Sequence, residues 1–130
     1  MPVSSSASTY GKSLEYHRKA LSIYERVYGP RHPGTASSHY NMGAVFLMQG
    51  DHAGALEAYG KALAIYEQVF GPQSEPVAST IEDMATTLKD QGNREQAREY
   101  QERSVVAYTA ALGPEHPRTK NARKWAHRYS

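Results

Sequence analysis

An eleven-residue phrase occurs twice in the chain, almost unchanged. Ala20–Pro30 reads Ala-Leu-Ser-Ile-Tyr-Glu-Arg-Val-Tyr-Gly-Pro, and Ala62–Pro72 reads Ala-Leu-Ala-Ile-Tyr-Glu-Gln-Val-Phe-Gly-Pro. A third, more divergent copy, Ser104–Pro114, keeps Tyr108, Gly113 and Pro114, and Gly29, Gly71 and Gly113 stand 42 residues apart each time. A period of about 40 residues belongs to helical solenoids or to propeller blades. In the central copy Ala55, Leu56, Tyr59, Ala62, Leu63, Tyr66, Val69 and Phe70 recur at steps of three and four. That is the stripe of an amphipathic helix, with no period-two alternation, so blades are excluded and the chain is all-α.

At 130 residues with 39% hydrophobic side chains the chain is one domain in size, and it covers a core only if those side chains are patterned onto faces. No apolar run approaches the roughly 20 residues that span a bilayer. Met1 to Thr9 lacks the charged and apolar regions of a signal peptide, so the reading is a cytoplasmic protein without a membrane partner. The absence of cysteine removes disulfides, thiolate chemistry and thiolate metal sites together. A net charge of +2 argues against general nucleic-acid binding, although Arg118, Lys120, Arg123, Lys124 and Arg128 crowd into one stretch.

Residues 1–8, rich in Ser and small side chains, are expected to be a flexible lead-in. Thr9, Asp51 and Asn93 share one place in the repeat frame and are residue types that cap a first helical turn, so each is expected to mark a helix start. The helix after Thr9 carries Leu14, Ala20, Leu21, Tyr24 and Val27 and stops at Gly29-Pro30. This type is termed B. A second type, A, follows from about Gly34 to Met48 and closes at Gly50. The pattern continues as B from Asp51 to Phe70, A from about Pro76 to Asp90, B from Asn93 to Leu112, and a last A helix from Pro117 towards Tyr129. Short links force antiparallel neighbours, which predicts a right-handed α-solenoid of about six helices in the order B-A-B-A-B-A. Its parts are a half repeat at 9–29, repeats at 33–71 and 75–113, and a terminal helix at 117–129, all in a single domain over 9–130.

The pair formed by the first A helix and the B helix after it has a finer signature. Asn41-Met42-Gly43, Phe46, Gly50, Ala55, Tyr59 and Ala62 fall where the tetratricopeptide repeat has its Asn-Leu-Gly, aromatic, Gly, Ala, Tyr and Ala. Met84, Ala85, Leu88, Gly92, Ala97, Gln101 and Ser104 hold the same slots more loosely. The 42-residue spacing, with Gly-Pro-x-His-Pro at Gly29–Pro33 and Gly113–Pro117, resembles the tetratricopeptide repeats of kinesin light chains and their bacterial and protist relatives. The resemblance covers roughly residues 9–129. It implies binding of an extended peptide of a partner protein in a concave groove lined by A helices, with Asn41 in a slot that contacts peptide backbone. Asp83 replaces that Asn in the next repeat, and the Lys and Arg of a carboxylate clamp are missing at Ser37, Met48, Ser79 and Asp90, which argues against a chaperone-tail receptor. Without a heptad coiled coil the chain is not expected to be a complete light chain.

The six histidines form no helical pair with a third ligand nearby, so they read as structural or solvent-facing, and no phosphate loop or nucleophile elbow is present. The expectation is therefore no enzyme, no cofactor and no metal. Tyr24, Tyr66 and Tyr108 share one slot on a buried stripe and are expected to pack. The groove side is expected to carry Tyr40, Asn41, Ala44 and Met48 on the first A helix. Glu82, Asp83, Thr86 and Asp90, with Lys89, follow on the second, and Lys124, Trp125 and Arg128 on the last. The middle of that surface is acidic and the end basic, so a ligand of mixed charge is expected. Two other readings stay open. One is self-assembly through the terminal helices, because the first B helix lacks its A partner and the last A helix lacks its B partner. The other is nucleic-acid binding through the basic last helix, where Arg123 occupies the slot in which Ile81 is core.

Overall fold

A computed structural model describes the backbone of residues 2–129 and the side chains of residues 9–129. Six helices follow one another: α1 (Pro2–Tyr28), α2 (Pro33–Met48), α3 (His52–Phe70), α4 (Glu75–Asp90), α5 (Arg94–Leu112) and α6 (Pro117–Arg128). The described residues contain no strand. The expected alternation holds, with α1, α3 and α5 of the B type and α2, α4 and α6 of the A type. Among the described residues no helix is long and apolar enough to cross a membrane. Tertiary contacts divide the chain into two units, Met1–Ile65 and Tyr66–Ser130, and the boundary falls inside α3.

The helix ends follow the turn chemistry. Gly29, Gly50, Gly71, Gly92 and Gly113 close the five helices before α6, all with φ between 82° and 90°, a region that a side chain makes costly. After α2 and α4 the closure is a double one: Gly50 N–H donates to Leu47 O and Asp51 N–H to Phe46 O, and Gly92 and Asn93 repeat this on Lys89 and Leu88.

Of the starts expected at Thr9, Asp51 and Asn93, the first is absent and the third lacks its side-chain cap. The lead-in over residues 1–8 lies outside the described part for Met1 and for the side chains up to residue 8, but the backbone is helical from Pro2. Thr9 is therefore inside α1 and starts nothing. Proline suits a first helical position, and no Gly or Pro interrupts the stretch from Val3 to Tyr10. Asp51 does cap, its Oδ1 accepting from Gly54 N–H at 2.9 Å. Asn93 does not, because its side-chain amide donates to Gln96 instead.

The histidines of the repeat loops do more than face solvent. His32 Nδ1 accepts from Gly34 N–H at 2.9 Å, and His116 Nδ1 accepts from Arg118 N–H at 3.1 Å, so each caps an A helix. The equivalent Ser74 makes no such bond: the residue two further on is Pro76, which has no N–H, and the Ser74 hydroxyl donates to Gly71 O.

In the first unit Leu14, Ala36, Val45, Ala55, Ala58, Tyr59, Ala62 and Leu63 are buried. A Cβ on Gly43 would come within 2.8 Å of the Tyr59 ring, so α2 passes α3 at a distance only glycine permits. In the second unit Ala78 of α4, Ala107 and Tyr108 of α5 and Ala122 of α6 form one cluster. Tyr108 is fully buried as expected, whereas Tyr24 and Tyr66 are half-buried. Val27, Val69 and Phe70, expected on the inward stripe, are exposed, since they lie in the last helical turns beside the Gly-Pro loops.

Tyr59 is only 3% exposed. Tyr59→Ala is expected to lower unfolding free energy by about 3 to 5 kcal/mol in urea titrations, as large aromatic truncations do. Gly43→Ala is expected to destabilise as well, by driving a methyl into that ring. A loss below about 1 kcal/mol for Tyr59→Ala would mean that this contact does not hold the helix pair.

Candidate functional site

The slot filled by Tyr59 in the first unit is held by Gln101 in the second, and Gly43 is matched there by Ala85. The shorter side chain leaves room. A cavity of about 200 Å³ opens beside it, walled by Glu82, Asp83, Thr86 and Lys89 of α4, Gln101 of α5, and Asn121, Trp125 and Tyr129 at α6. Helix periodicity explains the selection: positions 82, 83, 86 and 89 share one side of α4, and 121 and 125 share one side of α6.

The floor is a set of satisfied polar groups. Gln101, 1% exposed, donates from Nε2 to Glu82 Oε2 and to Ala122 O, both at 3.0 Å. Tyr108 Oη donates to the other Glu82 oxygen at 3.3 Å. Both oxygens of Glu82 thus have a donor from α5, which fixes the carboxylate in the wall. The Arg118 guanidinium lies 5.4 Å from the Tyr108 ring centre and pairs with Glu75, tying α6 back to α4.

The outer wall is aromatic and cationic. Lys89 Nζ stands 5.2 Å from the Trp125 ring centre and the Arg128 guanidinium 4.8 Å, distances at which a cation is attracted to the ring face. Arg94 donates to Arg128 O at 2.7 Å and reaches over the Tyr129 ring at 5.8 Å. Burial first, then the charge of Asp90, pushes the Tyr129 phenol above its ordinary range. The cavity therefore offers carboxylates at Glu82 and Asp83, an ammonium at Lys89, an amide at Asn121 and an indole face within one small space. Such a set can meet groups of either charge. Among the described residues no group of three or more His, Asp or Glu side chains converges as a metal site would require.

Of the residues expected on the groove side, Glu82, Asp83, Thr86, Lys89 and Trp125 come together here, and Arg128 stands over Trp125. Asp90 and Lys124 are exposed and do not line the cavity. Tyr40, Asn41, Ala44 and Met48 belong to α2 in the other unit. Tyr40 lies 5.3 Å from the Tyr59 ring, Ala44 is half-buried, and Asn41 and Met48 are exposed. None of the four lines the cavity of about 170 Å³ in that unit, which is walled by another set of α2 residues, His39, Met42 and Phe46, with Leu21 and part of α3. Gln101, Asn121 and Tyr129 were not expected at the site. The signal for Gln101 was present, a polar residue in a slot that its sister repeat fills with an aromatic.

Profiles of the tetratricopeptide repeat match residues 7–68 and residues 77–118. No curated protein matches the sequence. Among solved structures, the chain is similar to the nearly identical TPR-like repeats of a candidate kinesin light chain from Podosopora anserina, with TM-score 0.78 and 17% identity over 95% of this chain and 58% of that one. It is also similar to BtubC (BKLC) from P. vanneervenii, with TM-score 0.71 and 18% identity over 94% of this chain and 57% of that one. The chain therefore spans less than two thirds of either structure.

Burial, followed by the charge of Glu82, pushes the Tyr108 phenol up to about 12, while Arg118 opposes the shift. The folded state thus keeps a proton that the unfolded chain releases from about pH 10. The stability this gives is whole below that value and is lost as pH rises through about 12. Phenolate absorbance is expected to show Tyr108 among the late-titrating tyrosines, and Glu82→Gln should move it back toward the ordinary range. No movement would separate Glu82 from Tyr108.

Proposed function

Because the chain belongs to the tetratricopeptide-repeat family, a family of non-catalytic interaction modules, we propose that it binds an extended peptide segment of a partner protein at the α4–α6 cavity. The observation that carries the reading is the cavity itself. It stands on the A-helix side of the second unit and combines Glu82 and Asp83, Lys89, Asn121 and the Trp125 ring within one space of about 200 Å³. A peptide backbone finds donors and acceptors there, and a side chain finds the indole. The exposed Asn41 and Met48 on α2 form a separate contact surface of the same kind. The proposal sets the module in the cytoplasm and invokes neither cofactor nor membrane.

The other two readings have less support. In α6 the residues matching the buried Ala78, Ile81 and Ala85 of α4 are Lys120, Arg123 and His127, a polar face poorly suited to docking on another copy. For nucleic acid, several basic residues of α6 have partners within the chain. Arg118 pairs with Glu75, Lys120 with Glu115 at 3.3 Å, Arg123 donates to Pro114 O, and Arg128 covers Trp125.

The chain has one tryptophan, and it lies at the site, so its emission reports occupancy directly. Peptides selected from a displayed random library are expected to change Trp125 emission on binding. Asp83→Ala and Lys89→Ala should each weaken them about tenfold, the equivalent of about 1.4 kcal/mol. Selected peptides that bind without altering Trp125 emission, and equally well to both variants, would place recognition elsewhere.

A further inference from the structure

The hydrogen bonds of Gln101 fix which way its amide faces. Nε2 donates to Glu82 Oε2 and to Ala122 O, which uses both of its hydrogens, so the other end of the amide is Oε1, an acceptor. No described residue donates to it. Among the described residues the Thr119 hydroxyl is the one unpartnered polar side-chain atom sealed from solvent. The Oε1 of Gln101, a residue only 1% exposed, is therefore reached through the cavity that Gln101 lines. Burying an acceptor is costly unless a donor meets it.

Glu82 has the same need in a stronger form. Its oxygens accept from Gln101 and from Tyr108 Oη, both neutral donors, and among the described residues no cation pairs with this carboxylate. Arg118, near Tyr108, pairs with Glu75 instead. The Thr86 hydroxyl is used on the Glu82 carbonyl. Asp83 adds a second carboxylate to the same wall. In the first unit the slots matching Glu82, Asp83 and Gln101 hold Tyr40, Asn41 and Tyr59, none of them charged, so the acceptor-rich floor belongs to the second unit and not to the repeat as such.

We propose that this cavity takes the cationic side chain of a lysine or arginine in the bound peptide. Its N–H groups donate to Gln101 Oε1 and to the carboxylates of Glu82 and Asp83, and its methylenes lie along Trp125. This specificity rests on the peptide-binding reading above and adds the residue that the peptide carries. A cationic head with several donors answers a neutral acceptor and two carboxylates together, which an acidic or an apolar side chain does not. Lys89 offsets part of the charge, but it is drawn to the indole, and two carboxylates against one ammonium leave the wall negative.

The test needs no selected peptide. Lysine, arginine, norleucine and glutamate, each capped as an amide at both ends, are titrated into the 130-residue chain while NMR follows the Trp125 indole and the Gln101 side-chain amide. Capped lysine and arginine are expected to move both signals at concentrations at least about tenfold below those norleucine needs, glutamate to move neither, and the effect to shrink in high salt. Asp83→Asn, checked for folding by circular dichroism, should weaken the lysine response and leave that of norleucine unchanged. Equal responses to lysine and norleucine, a larger response to glutamate, or no response to any of them would overturn the proposal. Selected peptides that alter Trp125 emission yet lose nothing when their lysine or arginine is replaced by norleucine would overturn it too, and would leave peptide binding at the cavity standing. Binding of capped lysine with no peptide that alters Trp125 emission would overturn the peptide reading, and with it the assignment of the cation to a peptide.

Discussion

The whole arrangement depends on how closely an A helix and a B helix can approach. Ala36, Ala55, Ala62, Ala78, Ala85, Ala97 and Ala122 have no measurable exposure, and Gly43 stands where even a methyl would strike Tyr59. Small residues on both helices bring the axes together, and interiors packed at crystal-like density leave nothing to absorb an added carbon. The positive-φ glycines serve the same end, because each helix has to stop within a turn for its successor to lie against it.

That constraint also makes the site. In the first unit the Tyr59 ring fills its slot and lies against Gly43 and Tyr40. Where Gln101 replaces it, the second unit loses aromatic bulk and must satisfy a buried amide, which it does by binding Glu82 and the Ala122 carbonyl. Leaving such a group unpaired would cost about 1 to 3 kcal/mol, so the amide also fixes α6 against α5 and sets where Trp125 stands. The polar cavity thus combines Gln101 with the side chains of α4 and α6 that wall it.

Most of the fold was legible because the repeat frame carries the helix boundaries, and the glycines that end the helices are visible as residue types. The start of α1 was not, since a Ser-rich stretch preceded by Pro2 is compatible with both lead-in and helix. The caps at His32 and His116 escaped because histidine is rarely read as an N-cap. Only the acceptor nitrogen and a free amide two residues on reveal the role, and Ser74 before Pro76 shows what happens when that amide is missing. At the site, periodicity found the α4 face and Trp125. Asn121 and Tyr129 depend on where α6 lies against α4 and α5, which spacing within α6 does not contain.

The slot that holds Asn41 on α2 holds Asp83 on α4 and Trp125 on α6, and the neighbouring slot holds Tyr40, Glu82 and Lys124. The slots that set helix spacing do the opposite: Ala55 and Ala97 are identical, and Ala62 and Ser104 nearly equal in size. Backbone geometry is thus fixed by one set of positions and surface chemistry by another, on the same helices. A change at the first set moves axes and is felt through the whole unit. A change at the second alters charge or aromatic surface, and at Glu82, which pairs the buried Gln101 and Tyr108, it also reaches into the packing between helices.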